Sequence, residues 1–238
     1  MIISVNGGHT PTAPGARGYI DELREDRKLK DALIAELRAR GHEVVDTTSP
    51  DYMVQADDLA QQCSACNASG AELNVSIHFN AGGGRGPEVW YWQGNKDGAV
   101  YASKVSEAIA EAIDRPNRGA KTGVAYYFLK HTHRTALIVE TCFVDTAEDA
   151  SAYLLAGPAK VAAAIADAIS GTNRGVLAGG VQEAEPEQAP ARELLEVDGI
   201  KGVKTVSRLQ EVLGVTVDGI EGPETIKALQ KALNEWEG

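Results

Sequence analysis

Four side chains between residues 9 and 140 have types that packing alone does not call for: His9, Glu22, His78 and Glu140. His78 stands near the end of a strictly alternating run, L-N-V-S-I-H-F-N over residues 73–80. Leu73, Val75, Ile77 and Phe79 fall on one face of that run, and Asn74, Ser76, His78 and Asn80 on the other. Glu140 interrupts the apolar run A-L-I-V-E-T-C-F-V, where a carboxylate is costly to bury unless a charged or protonated group meets it. One such group is an arginine, Arg118 or Arg134. The other is the chemistry of a metal hydrolase. Two imidazoles and one carboxylate (His9, His78, Glu22) suit a zinc ion that keeps one position open for water, and a separate carboxylate, Glu140, serves as base.

Such a site needs strands and helices that bring distant residues to one edge. Residues 2–5 read as a buried strand broken by Asn6-Gly7-Gly8, with His9 immediately after it. The spacing of Leu29, Leu33 and Leu37 predicts a helix over 22–40, stopped by Gly41. A strand over 43–48, a helix over 54–69 stopped by Gly70, and the central strand 73–80 follow. Further on, a strand is predicted over 86–93 and a helix over 97–114, with Val100, Val105, Ile109 and Ile113 along one side. Residues 115–135 read as irregular, 136–144 as a strand buried on both faces, and 147–155 and 158–170 as two more helices. The alternation of strands and helices predicts an α/β domain over 1–170, a twisted, mostly parallel or mixed sheet flanked by helices. In such sheets ligands bind beyond the carboxyl ends of the strands, where His9 and His78 fall.

The chain has 238 residues, 43% of them hydrophobic, and a formal net charge of -11. That charge argues against nucleic acid or an anionic membrane surface as partner. The first residues lack a basic segment followed by an apolar one, so no signal peptide is expected, and no run of apolar residues suggests membrane insertion. Cys63, Cys66 and Cys142 are read as reduced, packed thiols of a protein made in the cytoplasm. From 171 to 193 the composition turns to Gly, Pro, Glu and Gln without periodicity, as in a flexible linker. Residues 194–238 then carry a repeat of period twenty: V-D-G-I-x-G-x-x-T-V-x-x-L-Q-x-x-L from Val197 returns as V-D-G-I-x-G-x-x-T-I-x-x-L-Q-x-x-L from Val217. Each copy predicts an Asp-Gly turn and a short amphipathic helix, together a small helical module.

Four stretches carry a family resemblance: Gly8-His9 after the first strand, Asp21-Glu22 entering a helix that ends R-G-H-E-V, S-I-H-F-N-A around His78, and V-E-T-C-F-V around Glu140. In this order they resemble the type 3 N-acetylmuramoyl-L-alanine amidases, zinc enzymes that include bacterial autolysins and phage endolysins. The resemblance implies that His9, Glu22 and His78 hold Zn2+ and that Glu140 is the catalytic glutamate. It implies peptidoglycan as substrate, cut between N-acetylmuramic acid and L-alanine. The opening departs from the family's D-x-G-H-G-G, reading V-N-G-G-H-T, and Glu25 competes with Glu22 as ligand. Glu22 is preferred because its distance to Gly41 matches the family's pattern. Asn80 is a candidate substrate contact, with a turn-forming role as its alternative. The repeat resembles the type 1 peptidoglycan-binding module. The expectation is a monomeric enzyme, made in the cytoplasm and acting at the cell wall after release, as a phage or prophage endolysin does.

Overall fold

The protein is described here by a computed structural model covering residues 1–50, 55–176, 203–213, 215, 217 and 223–235. The chain divides into two compact units. The larger holds a six-stranded sheet built from β1 (Ile2–Gly7), β2 (Glu43–Asp46), β3 (Leu73–Asn80), β4 (Glu88–Trp92), β5 (Gly119–Gly123) and β6 (Thr135–Phe143). Their order across the sheet is β2-β1-β3-β6-β4-β5. β2, β1, β3 and β6 run parallel, β4 runs antiparallel to β6, and β5 runs parallel to β4. The sheet is therefore mixed, and the carboxyl ends of β1, β3 and β6 share an edge with the start of β4.

The apolar side of the sheet (Ile3, Val5, Leu73, Val75, Ile77, Leu137, Val139) is sealed by α1 (Glu22–Ala39), α3 (Lys96–Ile113) and α5 (Ala147–Val176). Asp21 caps α1 by accepting a hydrogen bond from the Arg24 amide at 3.1 Å, which makes Glu22 the first helical residue. Leu29, Leu33 and Leu37 are fully buried along its inner face, and Gly41, at φ 83°, ends the turn where a side chain would be strained. On α3 the buried side is Tyr101, Ala102, Val105, Ile109 and Ile113, whereas Val100 is 42% exposed. Val100 lies five residues from Val105, which at 3.6 residues per turn is off the inward face.

The opposite side of the sheet is covered by α2 (Gln55–Ala68) through hydrogen bonds more than apolar contact. The Cys66 thiol takes contacts from Ser4 Oγ, Asn6 Nδ2 and Thr47 Oγ1, and Gln62 Nε2 donates to the Gly7 carbonyl at 3.3 Å. All the cysteines are free and buried. Burial pushes the Cys63 thiol up to about 11.

Two elements depart from the sequence reading. The stretch read as irregular contains β5 and the short helix α4 (Tyr127–His131). G-A-K-T-G has no apolar alternation to announce a strand, but an edge strand needs only its ladder, here five residues registered on β4. The two helices expected over 147–155 and 158–170 are both present, carried together as α5 but separated at Gly157 (φ 78°, ψ 155°), just before Pro158. The second helix continues to Val176, across the first residues of the expected linker; the rest of that linker lies outside the described residues. By length and composition 147–171 could cross a membrane, yet Val161, Ala162, Ile165, Ala166 and Ile169 are buried in the core.

In the second unit, α6 (Val203–Leu213) and α7 (Pro223–Glu235) carry the helical parts of the repeat. Pro223 opens its helix, where a missing N–H costs nothing. Gln210 Nε2 donates to Thr225 Oγ1 at 2.9 Å, both residues being buried, so the glutamine of the first copy is joined to the threonine of the second by a side-chain bond. The Asp-Gly turns of both copies lie outside the described residues.

Candidate active site

His9 lies on the loop leaving β1, Glu22 opens α1, and His78 is near the end of β3. The fold brings their donor atoms to one point, all within 4.8 Å of one another. His9 Nε2 is 2.9 Å from Glu22 Oε1, and His78 Nδ1 is 3.2 Å from His9 Nε2 and 3.3 Å from Glu22 Oε1. His9 Nδ1 faces the Ala13 carbonyl at 3.1 Å, which favours the proton there and leaves the Nε2 lone pair turned to the cluster. Glu22 is held at both oxygens: Oε2 accepts from the Ala16 amide at 2.7 Å and Oε1 from the Phe79 amide at 3.0 Å. Two glycines make room. A Cβ at Gly8 would sit 1.9 Å from His78 Cε1, and one at Gly15 would sit 2.4 Å from Glu22 Oε2.

The electrostatics suit a cation. Burial works against the Glu22 carboxylate, but hydrogen bonds and charge from His78 and His9 outweigh it and hold the group far below the usual carboxylate range. Burial lowers the His78 imidazole, with His9 adding repulsion, so it favours the neutral form a metal needs. On His9 burial is outweighed by the bond and charge of Glu22, and its basicity is raised. Two imidazoles, neutral once an ion displaces any proton between them, around a fixed carboxylate form a donor set that fits a divalent ion such as zinc. Glu25, the rival ligand, points elsewhere and accepts from Lys28 Nζ at 2.7 Å. His131 and His133 are exposed and outside the cluster.

Glu140 is the cross-strand neighbour of His78 in the β3–β6 register and of Glu88 in the β4–β6 register. Its Oε2 is shut off from solvent and has no hydrogen-bond partner. Neither arginine meets it, since Arg118 Nε pairs with Glu88 Oε2 at 2.7 Å and no ion pair forms with Arg134. Burial, with repulsion from Glu22 and Glu88, pushes the Glu140 carboxyl up to about 8. A carboxylate poised near neutrality beside a cation site can move protons. Asn80 spends its amide locally: Nδ2 donates to Glu88 Oε1 at 2.9 Å and Oδ1 accepts from the Ala81 amide at 2.8 Å.

Supporting residues carry no sequence motif that would have singled them out. Arg27 reaches back from α1 to the His9 carbonyl, and its neighbour Asp26 is fully buried beneath the loop. Asp145 accepts from the Gly82 and Gly83 amides (2.7 and 3.1 Å to Oδ2), and Asp149 Oδ2 from Gly86 at 2.7 Å. These bonds fix the glycine loop after β3 to the end of β6. Only tertiary contact gives those acids a role.

The chain is similar to several known proteins over its larger unit. The chain is 34% identical over 175 residues to an uncharacterised protein of Clostridium perfringens, covering 71% of this chain and 52% of that one. It is 30% identical over 153 residues to the sporulation-specific N-acetylmuramoyl-L-alanine amidase of Bacillus subtilis, covering 63% of this chain and 58% of the relative. The chain thus spans about half the length of these curated relatives. Among solved structures, the catalytic domain of the CD27L endolysin targeting Clostridia difficile superposes with a TM-score of 0.67 at 26% identity, over 71% of this chain and 96% of that domain. The family model described as N-acetylmuramoyl-L-alanine amidase matches residues 3–171, a span that takes in the sheet, the His9–Glu22–His78 cluster and Glu140, and the chain belongs to that family.

Proposed function

We propose that this chain is a zinc-dependent N-acetylmuramoyl-L-alanine amidase that hydrolyses the amide between N-acetylmuramic acid and L-alanine of peptidoglycan. The observation that carries the reading is the convergence of His9, Glu22 and His78 beside Glu140, a half-buried carboxyl whose Oε2 is shut off from solvent without a hydrogen-bond partner. These three side chains would hold the ion, which when bound supplies Lewis acidity and lowers the pKa of a water towards about 7. Glu140 then accepts the proton of the attacking water at a carboxylate oxygen and passes it to the departing alanine nitrogen. The Ala16 and Phe79 amides keep Glu22 fixed throughout, and the Ala13 carbonyl keeps the His9 ring in one tautomer.

The repeat over 194–238 we assign to wall binding, which would raise the local concentration of the catalytic unit on an immobile polymer. Action at the cell wall, in the manner of an endolysin, completes the proposal. Zinc content and cleavage of purified peptidoglycan by wild type and Glu140→Ala test it together. Expected are about one zinc per chain in both proteins, and new muramic-acid and L-alanine ends from wild type alone. Full activity in Glu140→Ala would remove Glu140 from the mechanism, and a wild type that neither holds zinc nor cuts would end the amidase reading.

A further inference from the structure

The start of β4 and of β5 lies on the same sheet edge as the candidate active site, because β4 runs against β6 and Glu88 faces Glu140. Arg118 immediately precedes β5, and its amide donates to the Pro87 carbonyl at 3.0 Å, tying its backbone to the entry of β4. Its guanidinium is held on two sides. Nε donates to Glu88 Oε2 at 2.7 Å, and the group lies over the Phe143 ring at 5.1 Å from the centroid. Both supports are themselves fixed: Glu88 is 4% exposed and takes bonds from Asn80 and Trp90, and Phe143 is 4% exposed against Gly84. The two terminal guanidinium nitrogens make no hydrogen bond among the described residues, and the side chain is 38% exposed.

A second cation follows on the same face. Lys121 is registered opposite Trp90, as Gly119 is opposite Glu88, and makes no ion pair among the described residues. In a chain of net charge -11, this flank presents cations beside a cluster of carboxylates. A rigid arginine fork with two open donors suits one chemical partner above others, a carboxylate bound through both oxygens. In a muramoyl-peptide the lactyl carboxyl is consumed in the scissile amide, so free carboxylates lie on the peptide side.

We propose that Arg118, positioned by Glu88 and Phe143, is the specificity residue that binds a free carboxylate of the peptide portion of the substrate, on the residue after the L-alanine. This rests on the amidase reading above and deepens it.

The test compares two substrates, N-acetylmuramoyl-L-alanyl-glutamate and the same compound with its carboxyl groups amidated, cleaved by the full zinc-loaded chain. Wild type should prefer the free acid by about tenfold or more in kcat/KM. Arg118→Gln should lose roughly 10- to 100-fold on the acid, mainly through KM, and stay within about threefold on the amide; Arg118→Lys should recover part of the loss. If Arg118→Gln folds poorly because Glu88 is left unpaired, Arg118→Gln with Glu88→Gln removes both charges and should show the same selective loss. Equal cleavage of acid and amide by wild type, or equal loss on both in the variants, overturns the assignment while leaving the amidase reading intact. Failure of wild type to cleave either compound, or purified peptidoglycan, overturns both.

Discussion

The two faces of the central sheet are both buried, but by different means. Towards α1, α3 and α5 the strands present Ile3, Val5, Val75, Ile77 and Val139, and the contacts are apolar and undirected. Towards α2 they present Ser4, Asn6, Asn74 and Ser76, all within 1% of full burial and largely hydrogen-bonded to one another and to Cys66. The second face continues along β3 and β6 into His78 and Glu140. One side of the sheet supplies cohesion, and the other supplies orientation. Substitutions on the first should change stability without touching the chemistry; those on the second should change chemistry, and some should even stabilise the fold.

The largest expected effect is at Glu140. Glu140→Gln should lower kcat by about 10³-fold, within the range for loss of a general acid or base. It should also raise the thermal midpoint of the chelated protein. The folded carboxyl titrates at about 8 against an ordinary 4.5, so the folded state holds a proton that the unfolded chain releases across that interval. Stability from this group is therefore lost as pH rises from 4.5 to 8, and glutamine abolishes the loss. The variant should match wild type near pH 4.5 and exceed it by about 5 °C or more at pH 8 in a calorimetric scan. A gain that did not grow with pH would show that Glu140 is not carried uncharged.

On the apolar face, Leu33→Ala empties a fully buried position on α1 and should cost about 3 kcal/mol in denaturant unfolding. Residual kcat at a temperature where the variant is folded should be unchanged. A fall in kcat parallel to the fall in stability would dissolve the distinction between the faces. Gly8→Ala sits at the junction. Its Cβ would strike the His78 ring, so zinc affinity, read by competition with a chromogenic chelator, should drop about 10- to 100-fold.

How much of this could be read in the sequence follows the same division. Alternation in 73–80 and the leucine spacing of α1 announce the apolar face, because burial on one side leaves a periodic trace. The strand Gly119–Gly123 left none, since an edge strand without an apolar stripe is specified by its neighbour's ladder. His9, Glu22, His78 and Glu140 were visible as residues out of character with their surroundings, and the family resemblance gave them roles. Glu22 could be separated from Glu25 only by the family's spacing; in space the cap at Asp21 and the Phe79 amide separate them. Arg118 entered the sequence reading as a partner for Glu140 and proves to serve Glu88, because cross-strand register is invisible before the sheet is assembled.

The smallest effects sharpen the comparison most finely, within the polar face itself. Ser4 and Ser76 lie on adjacent strands, β1 and β3, both buried against the α2 side. Ser4 Oγ donates to Asn74 Oδ1 at 2.6 Å, whereas Ser76 Oγ has no partner. Removing a hydroxyl that satisfies a buried acceptor costs about 1–3 kcal/mol, while removing one that is already unsatisfied relieves a desolvation penalty. Ser4→Ala should therefore lower the unfolding free energy read in urea by about 1–3 kcal/mol, and Ser76→Ala should leave it unchanged or raise it by up to about 1 kcal/mol. If both substitutions cost the same, the polar layer would be held by packing like the other face, and its hydrogen bonds would have no special part in aiming His78.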